Sequence, residues 1–175
     1  GSKGILNKNF RLLAGIPPGQ RAVDIAMGLG IRAIVTTDDE NWVSGRGTTG
    51  WTCDTIRRPV ELSQDDTPMI DVVKHVLAEI PGPPDQPIVL LQPTQPLRKP
   101  KHITQALALL TPEWNSVVSV VETVSPNELL EMRGQELKMI HGWSLEFPAC
   151  RQMLEKGYKR DGTVYAFWRA TAAQH

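Results

Sequence analysis

The chain has 175 residues, the length of one ordinary domain. Hydrophobic residues make up 41% and charged residues 22%, enough apolar material for a packed core and too much for a disordered chain. The 19 basic residues balance the 19 acidic ones, which excludes a protein held to DNA or RNA by bulk charge while leaving room for a local cluster of cations around a small anion.

Taken in chain order, helix and strand signals alternate. Val23, Ala26 and Met27 recur at helical spacing within Arg21–Leu29, with Pro17-Pro18-Gly19 before them and Gly30 after them as start and stop signals. Ile31–Thr36 is short and β-branched and runs into the polar Thr37-Asp38-Asp39, which predicts a strand entering a loop. Met69, Val73, Val76, Leu77 and Ile80 form a second helical stripe, with Thr67 as its expected cap and Pro68 in its first turn. Pro81-Gly82-Pro83-Pro84 stops it. Ile88–Leu91 reads as a buried strand, Ile103–Leu110 as a third helix, Ser116–Val121 as a strand and Val164–Trp168 as a last strand. Apolar strands separated by helices predict an α/β chain with a mainly parallel sheet covered on both faces. The polar, irregular stretch Glu122–Lys159, with a turn at Met132-Arg133-Gly134-Gln135, breaks that rhythm and reads as an inserted arm within a single domain of residues 1–175.

No apolar run approaches the ~20 residues of a membrane-spanning helix, and the N-terminus lacks a charged-then-apolar leader pattern. Cys53 and Cys150 form no paired motif, so a reducing, cytoplasmic setting is expected. Gly45-Arg46-Gly47-Thr48-Thr49-Gly50 has the spacing of a dinucleotide loop but neither the strand before it nor the helix after it. Gly28–Ala33 joins a helix to a strand, the reverse order, so both glycine clusters read as turns. His75, His102, His141 and His175 have no ligand-like spacing.

Two segments carry chemistry. Gly1–Asn9 combines glycines, a hydroxyl and the ammonium groups of Lys3 and Lys8, a pattern suited to phosphate oxygens and equally to a solvated terminus. Leu91-Gln92-Pro93-Thr94-Gln95-Pro96-Leu97-Arg98 follows a buried strand, at the end where α/β sheets bind ligands. Its prolines stiffen it, and Gln92, Thr94, Gln95 and Arg98 are expected to project hydrogen-bonding groups from it.

On these residues the chain resembles the acylneuraminate cytidylyltransferases, the CMP-sialic acid synthetases, and more distantly the CMP-Kdo synthetases. Ser2-Lys3-Gly4-Ile5 with Lys8-Asn9 is similar to that family's N-terminal signature, and Val35-Thr36-Thr37-Asp38-Asp39 to its V-S-T-D-D strand end. Arg58-Pro59-Val60-Glu61-Leu62 is similar to R-P-x-E-L, and Leu91–Arg98 to L-L-Q-P-T-S-P-L-R. Ser116–Val120 and Asp161–Ala166 resemble S-V-x-S-V and N-G-A-I-Y-A. Six such segments in family order are specific where one alone is weak.

The resemblance implies a nucleotide-diphospho-sugar transferase fold, Rossmann-like and three-layered. It implies transfer of a cytidylyl group from CTP to a nine-carbon 2-keto sugar acid, with Mg²⁺ and release of pyrophosphate, by a homodimer built through the arm at 122–159. It puts Ser2, Lys3, Lys8, Asn9, Arg58 and Thr67 at CTP, with Lys3 and Lys8 as the catalytic cations. It puts Gln92, Thr94, Gln95, Lys159 and Tyr165 at the sugar acid. Gln95 stands where the family has Ser, Asp161 where it has Asn, and Gly45–Gly50 where it has a helix. The family's opening Arg and first strand precede Gly1, and its metal-binding D-x-D pair lies beyond His175. No metal ligand is assigned, and weak CTP binding with slow turnover is expected of these residues alone. A nucleotide-binding or assembly module without catalysis is the alternative expectation.

Overall fold

The computed structural model describes residues 8–43, 53–125, 129–134, 136–140 and 155–174. The chain divides into two compact units, residues 1–118 with 162–175, and residues 119–161.

The described part of the first unit begins with a 3-10 turn, Lys8–Phe10, followed by helix α1, Pro18–Gly28. Pro17 is extended and Pro18 takes the first helical position, where a missing N–H costs nothing. Ala22, Val23 and Ala26 form the buried face of α1. Gly30, at φ +72, ends the helix in a Schellman turn: its N–H donates to the Met27 carbonyl at 2.9 Å, and that of Ile31 to Ala26 at 3.0 Å. Strand β1, Ile34–Thr37, pairs in parallel with β2, Asp54–Arg57, with Ile34 opposite Asp54 and Thr37 opposite Arg57. The short helix α2, Glu40–Val43, brings the buried Trp42 against α1; a Cβ on Gly19 would come within 2.7 Å of the indole ring.

Helix α3, Met69–Glu79, is followed by β3, Pro87–Leu90, and helix α4, Pro100–Leu109. Strands β4, Ser116–Thr123, and β7, Gly157–Trp168, complete a three-stranded sheet ordered β3-β7-β4. β7 is antiparallel to β3, with Leu90 opposite Tyr165 and Val89 opposite Ala166. The parallel pair expected of an α/β chain is therefore β1–β2, and the returning β7 makes the architecture mixed. Val164 and Ala166 lie on one face of β7, 0% and 1% exposed, against Ile103 and Ala106 of α4. Ile25, Leu29, Ile31, Val89, Leu91, Leu107 and Val117 close around this core. Helix α5, Arg169–Ala173, follows β7 directly.

The second unit contains a hairpin of β5, Leu130–Arg133, and β6, Glu136–Met139, with Leu130 opposite Met139 and Gly134 at φ +67 in its turn. The Ser119 hydroxyl donates to the Asp161 carboxylate. Lys156 pairs with Glu122 at 2.9 Å. Leu129, Leu130, Met132 and Ile140 are exposed.

Four differences from the sequence expectation have physical causes. Thr67 does not cap α3: Pro68 holds the cap position without a side-chain bond, and the Thr67 hydroxyl donates instead to the Glu61 carbonyl at 3.4 Å. α4 starts at Pro100, earlier than the apolar stripe, because a proline suits its first turn. The last strand begins at Gly157 and so takes in residues whose exposed side chains hide them from a hydrophobic pattern. β2, α2 and α5 are too short for periodicity to register. Gly45–Gly50, Cys150, His141 and His175 lie outside the described residues. Among the described residues no helix is long and apolar enough to cross a membrane.

Candidate functional site

The first cluster forms at the carboxyl ends of the parallel pair β1–β2, the end at which open α/β sheets bind ligands. The Arg58 N–H donates to the Thr37 carbonyl at 2.7 Å, extending the pairing one residue past β2. This leaves the Arg58 guanidinium at the strand end, 3.3 Å from the Asp38 carboxylate. The Arg58 Nε is buried without a hydrogen-bond partner among the described residues, as is the Thr36 hydroxyl. Asp39 works as a strand terminator: its N–H donates to the Thr37 hydroxyl at 3.2 Å, and its carbonyl accepts from Trp42 and Val43 to start α2. Beside it, Arg57 pairs with Glu40. Thr67 closes the loop after Arg58, with its N–H bonded to the Gln64 carbonyl at 3.3 Å. Lys8 and Asn9 are exposed on the first 3-10 turn, while Ser2 and Lys3 lie outside the described residues.

The second cluster is the loop after β3. Two consecutive turns build it: the Gln95 N–H donates to the Gln92 carbonyl at 3.3 Å, and the Arg98 N–H to the Gln95 carbonyl at 3.4 Å. Pro93 and Pro96 each occupy the second position of a turn, where a fixed φ is favoured. Thr94 is exposed, and Gln92 and Gln95 are half-buried. The two glutamine side chains come together over Gly162 of β7, which has φ +78. Tyr165 lies on the face of β7 opposite Val164 and Ala166, beside Leu90. Lys159 is exposed on the part of β7 that belongs to the second unit.

Arg98 corrects the sequence expectation. It does not project from the loop but is 6% exposed, its guanidinium donating to the carbonyls of Thr163 and of Gln92, the latter at 2.9 Å. Five donors in a planar fork suit an arginine to such a brace. The prolines and polar neighbours made the loop legible, but only the fold brings the Thr163 carbonyl within reach. Gly162 was equally hidden, since its role depends on glutamines some 70 residues earlier.

Among the described residues no group of three or more His, Cys, Asp or Glu side chains is gathered as a metal site. Asp38 is already paired with Arg58. The described residues do not fit the divalent cation that the resemblance implies. The His102 Nδ1 accepts from the Lys99 N–H at 3.3 Å at the start of α4, a capping role. Burial pushes the Cys53 thiol above its ordinary value, which makes it a poor nucleophile at neutral pH.

The family profile described as Cytidylyltransferase matches residues 1–141. The chain belongs to the cytidylyltransferase family. It is 31% identical over 134 residues to an N-acylneuraminate cytidylyltransferase of Escherichia coli, covering 74% of this chain and 31% of that protein. It is 33% identical over 135 residues to N-acylneuraminate cytidylyltransferase A of Danio rerio, covering 69% of this chain and 28% of that protein. A solved structure of CMP:2-keto-3-deoxy-manno-octonic acid synthetase complexed with CTP superposes on 99% of this chain and 72% of its own length, with a TM-score of 0.70 and 16% identity, which establishes the nucleotidyltransferase fold. The chain spans about a third of the length of these curated relatives.

Proposed function

We propose that this chain carries CTP and acceptor sites of an enzyme that transfers a cytidylyl group to a sialic-acid-like 2-keto sugar acid, giving the CMP-sugar and pyrophosphate. The observation that carries the reading is the braced double turn Gln92–Arg98 at the end of β3, in a chain of the cytidylyltransferase family. A sugar acid is a dense array of hydroxyl, carbonyl and carboxylate oxygens. Gln92, Thr94 and Gln95 offer amide and hydroxyl groups on a stiff loop, the property that positions a polar ligand without a large ordering cost. The resemblance adds Tyr165 and Lys159 as further candidates for the acceptor. Arg58, Thr67, Lys8 and Asn9, with Ser2 and Lys3, form the nucleotide side.

In this reading the acceptor hydroxyl attacks the α-phosphorus of CTP. A new P–O bond forms as the hydroxyl gives up its proton to solvent, the bond to the bridging oxygen breaks, and pyrophosphate leaves with the electron pair. Negative charge gathers on the leaving group, and Lys3, Lys8 and Arg58 stabilise it. Holding the two substrates in line is the other contribution. The reading also takes the protein as a cytoplasmic homodimer joined through its second unit.

Pyrophosphate release from CTP with a panel of 2-keto sugar acids tests the reaction, and calorimetry tests the two sites. Gln92→Ala is expected to weaken N-acetylneuraminate binding by about tenfold, roughly one hydrogen bond to a polar or charged ligand, while leaving CTP binding nearly unchanged. An equal loss of CTP affinity would reassign the loop. CTP binding is expected to weaken with added salt, because the cations at its phosphates act through screened charge; binding indifferent to salt, or no CTP binding, rejects the nucleotide assignment.

A further inference from the structure

We propose that Arg98 and Gly162 are positioning residues that together set the side-chain amides of Gln92 and Gln95. The consequence for the acceptor rests on the role given to those glutamines above; the positioning itself rests on geometry. The backbone bonds of the two turns measure 3.3 and 3.4 Å, beyond the ordinary 2.7–3.2 Å range for N–H···O. They are the weaker bonds of the loop. The Arg98 Nη2 bond to the Gln92 carbonyl measures 2.9 Å, and the Nε of the same guanidinium holds the Thr163 carbonyl. One buried, planar cation therefore ties the first residue of the loop to the strand beside it. Its donors are fixed in direction, so the Gln92 backbone is fixed with them.

Gly162 acts on the other end of the same side chain. An added Cβ would lie 3.2 Å from the Gln92 Oε1 and 3.6 Å from the Gln95 Nε2. An added Cβ therefore crowds the Gln92 oxygen, which must give by a few tenths of an ångström, and sits in ordinary contact with the Gln95 amide; side-chain atoms beyond the Cβ crowd both further. The φ of +78 adds a separate demand, since side chains with a Cβ rarely adopt it. Asparagine tolerates positive φ better than alanine, so Gly162→Asn and Gly162→Ala separate the two demands. The steric demand predicts that asparagine displaces the amides more than alanine does; the backbone demand predicts that alanine lowers the melting temperature more.

The test uses the full chain with isotope-labelled glutamine, its side-chain amide signals assigned through Gln92→Ala and Gln95→Ala. In the wild type both signals should lie away from the free-glutamine position. In Arg98→Lys, which keeps the charge and loses the fork, and in Gly162→Asn, both should move toward it. N-acetylneuraminate binding should weaken about tenfold in each variant, with CTP binding unchanged. With Gln92 and Gln95 both replaced by Ala, Gly162→Asn should have no further effect on that binding, because its effect passes through them. Wild-type signals at the free position, or signals that ignore Gly162→Asn, overturn the proposal, as does an equal loss of CTP and acceptor binding. Shifted signals that respond to Gly162→Asn in a chain that binds no N-acetylneuraminate uphold the positioning and reject the acceptor reading instead.

Discussion

Arg169 illustrates how one side chain resolves several backbone debts. α3 ends at Glu79, and its last carbonyls have no partner within the helix. The Arg169 guanidinium donates to the carbonyls of Leu77 and Ile80, and lies 3.4 Å from the Gln86 side-chain oxygen. Its own N–H donates to the Gln86 carbonyl at 2.8 Å. A cation at a helix C-terminus is also favoured by the dipole. Gly82 makes room for the arrangement, since a Cβ there would meet the Gln86 Oε1 at 2.1 Å and Arg169 at 3.0 Å. Arg169→Met keeps the apolar stem and strands the carbonyls. It is expected to destabilise the protein by about 2 kcal/mol and to lower the melting temperature by roughly 6 °C. An unchanged thermal midpoint would mean that water replaces the guanidinium without cost. Nothing in the sequence around Arg169 announces this role, because its partners lie about 90 residues away. The loop that carries Gln92, Thr94 and Gln95 was legible for the opposite reason: its prolines and the preceding apolar strand are local signals.

At the scale of elements, what periodicity could read was what has enough residues to show a period. α1, α3 and α4 are 11, 11 and 10 residues long, and each carries an apolar stripe visible in the sequence. β2 is four residues, exposed at both ends, and takes its place through its parallel partner β1. β7 is legible only over Val164–Trp168, where alternate side chains enter the core. The end of α1 was readable from Gly30 alone, and the structure supplies the reason in the two bonds from Gly30 and Ile31. Ile31 and Ile25 both pack on the same core. Gly30→Ala forces a Cβ into the left-handed region with no clash from neighbours, since nothing lies within 4 Å. Its cost is conformational only, about 1 kcal/mol, and Gly30→Asn should cost less. Chemical denaturation of the three proteins measures the order; equal midpoints for Ala and Asn would show that the turn rearranges.

At the scale of the whole molecule, the second unit raises a question of burial. Its β5–β6 hairpin is a two-stranded ribbon, which in water is marginally stable at best. Leu130 and Met132 lie two residues apart and so on one face of β5, 50% and 65% exposed. Leu129 and Ile140 are exposed next to the hairpin as well, the Ile140 N–H donating to the Leu129 carbonyl at 3.2 Å. Charged residues at Leu130 and Met132 would leave a solvated arm; an exposed apolar pair on one face is a surface that gains by being covered. A second copy of the same surface is the simplest cover, because a two-fold axis needs only one self-complementary patch. The homodimer of the proposed function therefore predicts a species of twice 19.4 kDa at micromolar concentration. Leu130→Asp combined with Met132→Asp puts two carboxylates into the contact on each side. That variant should sediment as a single chain, and the thermal stability of the first unit should hardly change, because none of its core residues lies in the hairpin. A wild-type protein that sediments as one chain, or a doubly charged variant that still pairs, would remove the hairpin from the interface.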